Sequence, residues 1–215
     1  MKTLVASAPR SGSSYTAEFL GKLGANTSKN GVITRGIFDV PRLRLDGAEI
    51  HANVLAWHDD PTDKIEGHEA AIEVSDLATP WLERFDACGW RIVHLVRDPY
   101  LSIASLVAAG GVEIGRGAPW WAYVDGLRDI ECKVTRVVRF WIDWNVAIEA
   151  RACGAVPVEN DLQLAAMAGF TGALPHVSKT TNHWENYDAA AERKKIEATP
   201  LAGELAEMAR RYGYQ

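Results

Sequence analysis

The sequence predicts an α/β protein in which helices flank a mostly parallel central sheet. Short apolar runs, typical of buried strands, alternate along the chain with segments whose apolar residues recur at helical spacing. Strands and helices that alternate in this way form βαβ units, whose strands pair in parallel. The chain has 215 residues, 47% of them hydrophobic, and no internal repeat, so we expect one domain over residues 1–215.

The strands are predicted from apolar runs bounded by turn formers. In chain order these runs cover residues 3–8, 70–75, 90–96 and 155–160, and the sequence WRIVHLV makes the third the clearest. Residues 26–62 are rich in turn formers and only weakly periodic, so loops and short helices are expected there. The glycine-rich segment 110–121 is typical of a loop.

The helices are predicted from apolar stripes and from residues typical of helix ends. In chain order they cover residues 11–25, 76–87, 99–110, 132–152 and 199–214. Asp76 and Thr199 stand where N-caps would open the second and the last of these helices. Pro99 suits the first turn of the third. Each of the first three strands is therefore followed directly by a helix.

Composition argues against several classes of protein. The net charge is −5 without a long basic run, which disfavours nucleic-acid binding through a basic face. No apolar run reaches membrane-spanning length, and the chain enters its first strand without a signal peptide, so a cytoplasmic protein is expected. Cys88, Cys132 and Cys153 are far apart and odd in number, a pattern that favours neither a metal site nor a disulfide framework.

The stretch SAPRSGSSYT, residues 7–16, lies between the first strand and the first helix. It has the outline of the nucleotide-binding loop G-x-x-x-x-G-K-[ST], with Gly12 at the second glycine, Ser14 at the hydroxyl position and Ser13 in place of the lysine. The basic residue is Arg10 instead. Backbone N–H groups at a helix N-terminus, hydroxyls and a guanidinium suit an anion. Without the lysine, the case for a magnesium–triphosphate site is weak.

A second basic site is predicted at another strand end, in HLVRDPYLSIAS, residues 94–105. Arg97 follows the strand at 90–96, and Ser105 lies two turns into the next helix. Ligands of parallel α/β sheets bind at the carboxyl ends of the strands, so both side chains are expected to face a ligand there. An arginine and a serine hydroxyl suit a phosphate group.

Together the two stretches resemble the sulfotransferase family that uses 3′-phosphoadenosine 5′-phosphosulfate (PAPS). APRSGSSY is similar to the family's 5′-phosphosulfate loop, and VRDPYLSIAS is similar to its 3′-phosphate motif, with Arg97 and Ser105 at the family's spacing. The segments RVVRFWIDWNVAIEA and VPVENDL resemble a helix and a strand of bacterial members. The resemblance covers most of residues 1–170 and implies a P-loop-NTPase-like sulfotransferase fold.

The resemblance implies transfer of a sulfuryl group from PAPS to a hydroxyl or amine of a small-molecule or glycan acceptor, without a metal. Arg10 would stabilise the leaving group, the role that the family usually gives to lysine. Arg97 and Ser105 would hold the 3′-phosphate. The 5′-phosphosulfate would be held by Arg10 together with Ser11, Gly12, Ser13, Ser14 and Tyr15. Relatives are often monomers or dimers, so a monomer or a homodimer is expected.

The transfer also needs a general base that takes the acceptor's proton. Many cytosolic relatives carry a histidine for this purpose at the end of the strand before the 3′-phosphate strand, and some bacterial relatives use glutamate. Here that strand is AAIEVSD, which has no histidine. Glu73 is therefore the first candidate, His68 the second and Asp76 the third.

Two later segments are further candidates. The family binds the 3′-phosphate also through a late basic loop, which SKTTNHWEN (178–186) faintly resembles, so Lys179 is a candidate cofactor contact. Trp120 and Trp121 would either form an aromatic wall for the acceptor or belong to the core.

Two other functions remain open. A P-loop nucleoside or nucleotide kinase would need ATP and magnesium, and Ser13 in the lysine position argues against it. A non-catalytic nucleotide-binding protein on the same fold would bind the nucleotide without turnover.

Overall fold

A computed structural model of the chain describes residues 1–32, 62–109, 124, 126–177 and 188–215. Within these ranges one five-stranded sheet has the order β2-β3-β1-β4-β5, and every pairing is parallel. The strands are β1 (Thr3–Ser7), β2 (Thr27–Lys29), β3 (Ile72–Ser75), β4 (Arg91–Val96) and β5 (Ala155–Pro157). The prediction of an α/β protein with a parallel sheet flanked by helices is confirmed.

The described ranges also contain helices between and after the strands. They are α1 (Ser13–Lys22), α2 (Thr62–Glu66), α3 (Leu82–Ala87), α4 (Pro99–Ala108), α5 (Lys133–Glu149), α6 (Asp161–Met167), α7 (Ala189–Glu197) and α8 (Ala202–Arg211). Two single 3₁₀ turns, Thr79–Trp81 and Leu127–Asp129, precede α3 and α5. No helix in the described part of the chain is long and apolar enough to cross a membrane.

The register of the sheet aligns the carboxyl ends of its three central strands. Ala6 of β1 lies opposite Ser75 of β3, and Ser7 lies opposite Leu95 of β4. Because all strands run in the same direction, the residues that follow β1, β3 and β4 emerge side by side at one edge.

The two faces of the sheet carry different helices. α1 and α6 cover one face, where Val5, Phe19 and Leu164 belong to one buried cluster. Leu4 and Trp141 belong to the cluster on the other face, which also includes residues of α3, α4, α7 and α8. The chain therefore leaves β1 towards one face and β3 and β4 towards the other. This reversal marks a switch point on each side of the loop after β1, the place where the ligand crevice of such sheets usually lies.

Both predicted N-caps are wrong, because each side chain has another partner. Asp76 accepts a hydrogen bond from Asn30 Nδ2 at 2.8 Å, and the chain forms the 3₁₀ turn Thr79–Trp81 before α3 begins. The Thr199 hydroxyl donates to the Ile196 carbonyl at 2.7 Å, so it closes the end of α7 and does not open α8.

His94 makes the stability of the fold depend on pH. It lies buried in β4, with Nε2 at 2.8 Å from Asn145 Oδ1 and its ring edge-on to Tyr212 at 5.3 Å between centroids. Burial lowers the pKa of His94 to about 4, although Asn145 and Glu149 favour the charged form. The unfolded chain therefore takes up this proton at a higher pH than the native protein does.

We expect the free energy of unfolding to fall by about 3 kcal/mol between pH 7 and pH 4 on account of His94. This stability is fully present above the unfolded pKa of 6.5 and is lost as the pH falls towards the native value. Urea unfolding at several pH values measures it, with His94→Gln, which cannot titrate, as the reference. Equal pH dependence of the two proteins would contradict the assignment.

Candidate anion-binding site at the carboxyl edge of the sheet

The loop between β1 and α1 turns sharply through two residues in the left-handed backbone region. Arg10 has φ 70° and Gly12 has φ 91°. The Ser11 N–H donates to the Ala8 carbonyl at 3.2 Å, which closes the first bend. Gly12 is the N-cap of α1 and has no side chain to cap it. A helix leaves its first N–H groups without intrahelical acceptors. In addition, the backbone here alternates between left-handed residues, Arg10 and Gly12, and a residue of negative φ, Ser11, and such a backbone forms a concavity of N–H groups that binds anions.

Gly12 also permits close packing against the end of the last strand. A Cβ atom built on Gly12 would lie 2.5 Å from Val158 Cγ2, a distance that real contacts do not reach. Val158 is buried and β-branched, so it has little freedom to move aside. The position therefore requires glycine for its φ and for its lack of a side chain.

Replacing Gly12 by alanine is expected to lower the free energy of unfolding by about 3 kcal/mol, as the sum of left-handed strain and overpacking. Gly24→Ala is the matched control, because Gly24 has φ 86° and no atom within 4 Å of a built Cβ. The control should lose only the backbone contribution, about 1 kcal/mol. Urea unfolding of both variants measures the difference, and equal losses would contradict the contact with Val158.

Direct hydrogen bonds join the two predicted basic sites. Arg10 Nε donates to Ser105 Oγ of α4 at 3.0 Å, and Arg97 Nη1 donates to the Arg10 carbonyl at 3.0 Å. Both guanidinium groups are partly buried. Burial and the charge of Arg97 lower the pKa of Arg10, whereas Asp76 raises it. The structure thus brings together two like charges that the sequence separates by most of a hundred residues.

Buried hydroxyl groups lie around the start of α1. Ser11 is 1% exposed, and its Oγ has no hydrogen-bond partner among the described residues. Ser7 Oγ and Thr16 Oγ1 are likewise buried without a partner in those ranges. Buried hydroxyls normally find partners, so these groups could serve a bound anion or water. Ser13 is buried beside them.

The Tyr15 side chain is engaged by a neighbouring helix. Its hydroxyl donates to Asp161 Oδ1, the first residue of α6, at 2.7 Å. Burial and this hydrogen bond raise the pKa of Tyr15 above its ordinary value. Tyr15, predicted as a cofactor contact, thus joins α1 to α6 through its phenol.

A lysine that sequence reasoning missed reaches the same helix end. Lys29, the last residue of β2, places Nζ at 2.5 Å from Ser14 Oγ in the first turn of α1. The strand that carries Lys29 was not predicted, so nothing in the sequence pattern placed this ammonium near the loop.

Two of the three candidate bases, Glu73 and His68, belong to one hydrogen-bonded cluster, in which Glu73 is fully buried and His68 is partly exposed. Glu73 is 0% exposed and accepts a hydrogen bond from the Gly31 N–H at 2.8 Å. Ser28 Oγ donates to the same carboxylate, and His68 Nε2 lies 3.1 Å from Glu73 Oε2 and 2.7 Å from Ser28 Oγ. Glu73 lies two residues before the end of β3, so its backbone sits roughly 7 Å below the carboxyl end of that strand.

Asp76, the third candidate base, lies at the carboxyl edge. It follows β3 directly and is only partly buried. Asn30 holds it on both sides: Asn30 Nδ2 donates to Asp76 Oδ1 at 2.8 Å, and the Asp76 N–H donates to Asn30 Oδ1 at 3.3 Å. Its effect on the Arg10 pKa places its charge near the guanidinium. Asp76 therefore borders the crevice between β1 and β3.

Several predicted residues lie outside the described ranges. They are Lys179 with the loop 178–186, and Trp120 and Trp121 with the loop 110–121. Among the described residues, no group of three or more His, Cys, Asp or Glu side chains is arranged to hold a metal ion.

No protein-family model, curated protein or solved structure matches the chain.

Proposed function

We propose that this protein transfers a sulfuryl group from PAPS to a hydroxyl or amine acceptor. The observation that carries the proposal is the hydrogen bond from Arg97, directly after β4, to the Arg10 carbonyl, in the loop between β1 and α1. Burial lowers the pKa of the partly buried Arg10 guanidinium, and repulsion by the like charge of Arg97 lowers it further. A ligand with several negative charges would relieve that repulsion.

PAPS fits this arrangement because it carries two separate anionic groups. The 5′-phosphosulfate would take the loop from Ser11 to Ser14, with its backbone N–H groups, and the guanidinium of Arg10. The 3′-phosphate would take Arg97 and Ser105, whose hydroxyl proton remains available because Ser105 Oγ accepts from Arg10. A sulfuryl group carries less charge than a phosphoryl group, so the 5′-phosphosulfate needs less neutralisation at this loop than a triphosphate would.

The reaction would be an in-line displacement at sulfur. The bond between sulfur and the bridging phosphate oxygen breaks, a bond from sulfur to the acceptor oxygen or nitrogen forms, and 3′-phosphoadenosine 5′-phosphate (PAP) leaves. Negative charge grows on the departing oxygen, where Arg10 would stabilise it. Positioning and electrostatics then account for most of the rate, as they do in phosphoryl transfer.

The geometry favours Asp76 over Glu73 as the base that takes the acceptor's proton. An acceptor in the crevice between β1 and β3 would reach the Asp76 carboxylate, which Asn30 orients. Glu73 is fully buried and its carboxylate is engaged by Ser28, His68 and Gly31, so a substrate does not reach it in this conformation. We therefore assign proton transfer to Asp76 and a structural role to the cluster of Glu73 and His68.

Labelled transfer assays test the proposed function. The protein is incubated with ³⁵S-labelled PAPS in EDTA, together with panels of phenols, sugars, amines and lipids that carry hydroxyl groups. Acceptor-dependent release of PAP together with a labelled product is the expected result. Tight PAP binding without turnover on any acceptor would instead indicate a non-catalytic nucleotide-binding protein. Phosphoryl transfer from ATP with magnesium would indicate a kinase.

A further inference from the structure

Lys29 brings a positive charge to the start of α1 from a different strand. Its Nζ lies 2.5 Å from Ser14 Oγ, and its side chain is otherwise exposed to solvent. Within the described residues, no carboxylate partners this ammonium. Its charge is therefore available to an anion bound at the loop.

Ser14, the partner of Lys29, has the sequence position of the hydroxyl that holds the metal in nucleotide-binding loops. In the pattern G-x-x-x-x-G-K-[ST], the final Ser or Thr hydroxyl is a ligand of Mg²⁺. Ser14 has that position in this chain. An ammonium is a compact charge with three donors, so it can contact one hydroxyl and phosphate oxygens together.

We infer that the Lys29 ammonium takes the place of the magnesium ion of a nucleotide-binding P-loop, so that residues 7–14 bind their anionic ligand without a divalent metal. The inference rests on the proposed function, in which this loop holds the 5′-phosphosulfate of PAPS. The Lys29 ammonium would also replace the positive charge of the lysine that the loop lacks at position 13, where the residue is Ser13.

The turn that carries Lys29 is held in place on both sides. Ser28 and the Gly31 N–H donate to the buried carboxylate of Glu73, and Asn30 pairs with Asp76. The cluster of Glu73, Ser28 and His68 would thus be a positioning device that aims Lys29 at α1.

A second feature of the loop also points to a ligand. Ser11 Oγ, 1% exposed, has no partner among the described residues, although it lies in the loop that Arg10 and Gly12 shape. The backbone concavity, the unpartnered hydroxyl and the ammonium on Ser14 together form a site for an anion with several oxygens.

Calorimetric titration of PAP and of PAPS into three proteins tests the inference: the wild type, Lys29→Met and Lys22→Met. Lys22 is the matched control, because it is an exposed lysine at the other end of α1, paired with Glu18 at 2.9 Å. Each titration is run in EDTA and again in excess MgCl₂. Circular dichroism confirms that the variants fold.

We expect Lys29→Met to weaken nucleotide binding about tenfold in EDTA, as loss of a charge-assisted contact would. Lys22→Met should change the affinity by less than about twofold, since exposed charges away from a site are screened. Magnesium should leave the wild-type affinity unchanged.

Two other results would overturn the inference alone: equal affinity of Lys29→Met and Lys22→Met, or wild-type PAP binding that requires magnesium. In both, PAP still binds and the proposed function stands. Failure of the wild type to bind PAP and PAPS under either condition would overturn the proposed function and the inference with it.

Discussion

Arg10→Ala is expected to lower the rate of sulfuryl transfer by about 10³-fold, because it removes the guanidinium that would stabilise negative charge on the departing oxygen. The fold should remain, for two reasons. Alanine keeps the same Cβ at φ 70°, and the carbonyl that accepts from Arg97 belongs to the backbone. Single-turnover rates with saturating PAPS and one identified acceptor measure the effect.

Two further variants make the Arg10 prediction specific. Arg10→Lys should recover part of the rate, since a lysine supplies the charge without the planar fork. Arg151→Ala is the matched control, because Arg151 is an exposed arginine that pairs with Glu83 and Asp86 away from the loop. A transfer rate in Arg10→Ala equal to that of Arg151→Ala would remove Arg10 from the chemistry.

Asp76→Asn is expected to lower kcat by roughly 10²–10³-fold, since general-base catalysis contributes about that much. The substitution keeps the size of the side chain, and an amide oxygen can still accept from Asn30. PAP binding should be retained, because the negative charge of Asp76 lies near Arg10 and its removal takes away no attraction for the anionic nucleotide. Steady-state rates and PAP titration on the same preparation separate the two effects.

Glu73→Gln should give the opposite pattern. It places an amide N–H₂ where Ser28 and His68 meet a carboxylate, and the mismatch should cost about 2 kcal/mol of unfolding free energy. At saturating PAPS, kcat per folded molecule should stay within a few-fold of wild type. Loss of kcat in folded Glu73→Gln, together with an active Asp76→Asn, would instead make Glu73 the base.

The elements with strong local signals could be predicted from the sequence. The strand at 91–96 is apolar except for Arg91 and His94, and α1 and α5 carry apolar stripes at helical spacing. β2 was missed because its sequence, Thr27–Lys29, is short and polar, and only its pairing with β3 makes it a strand. α7 was missed because only Ile196 of its residues is buried.

The meeting of Arg10, Arg97 and Ser105 could be foreseen, since the carboxyl ends of parallel strands share one edge. The sequence did not show how far below the carboxyl end of its strand a residue lies. Glu73 and Asp76 are three positions apart, yet one is sealed inside the sheet and the other borders a crevice. Lys29 and Asn30 could not be foreseen because they reach the site from β2, through pairing that no local pattern encodes.

One titration tests the central claim most directly: PAP in EDTA against ATP with magnesium, on the wild type and on Arg97→Ala. We predict that the wild type binds PAP without metal and that Arg97→Ala loses about 10- to 100-fold in affinity, as loss of hydrogen bonds to a charged phosphate would. Binding of ATP that depends on magnesium, with none of PAP, would contradict the sulfotransferase proposal and favour a kinase.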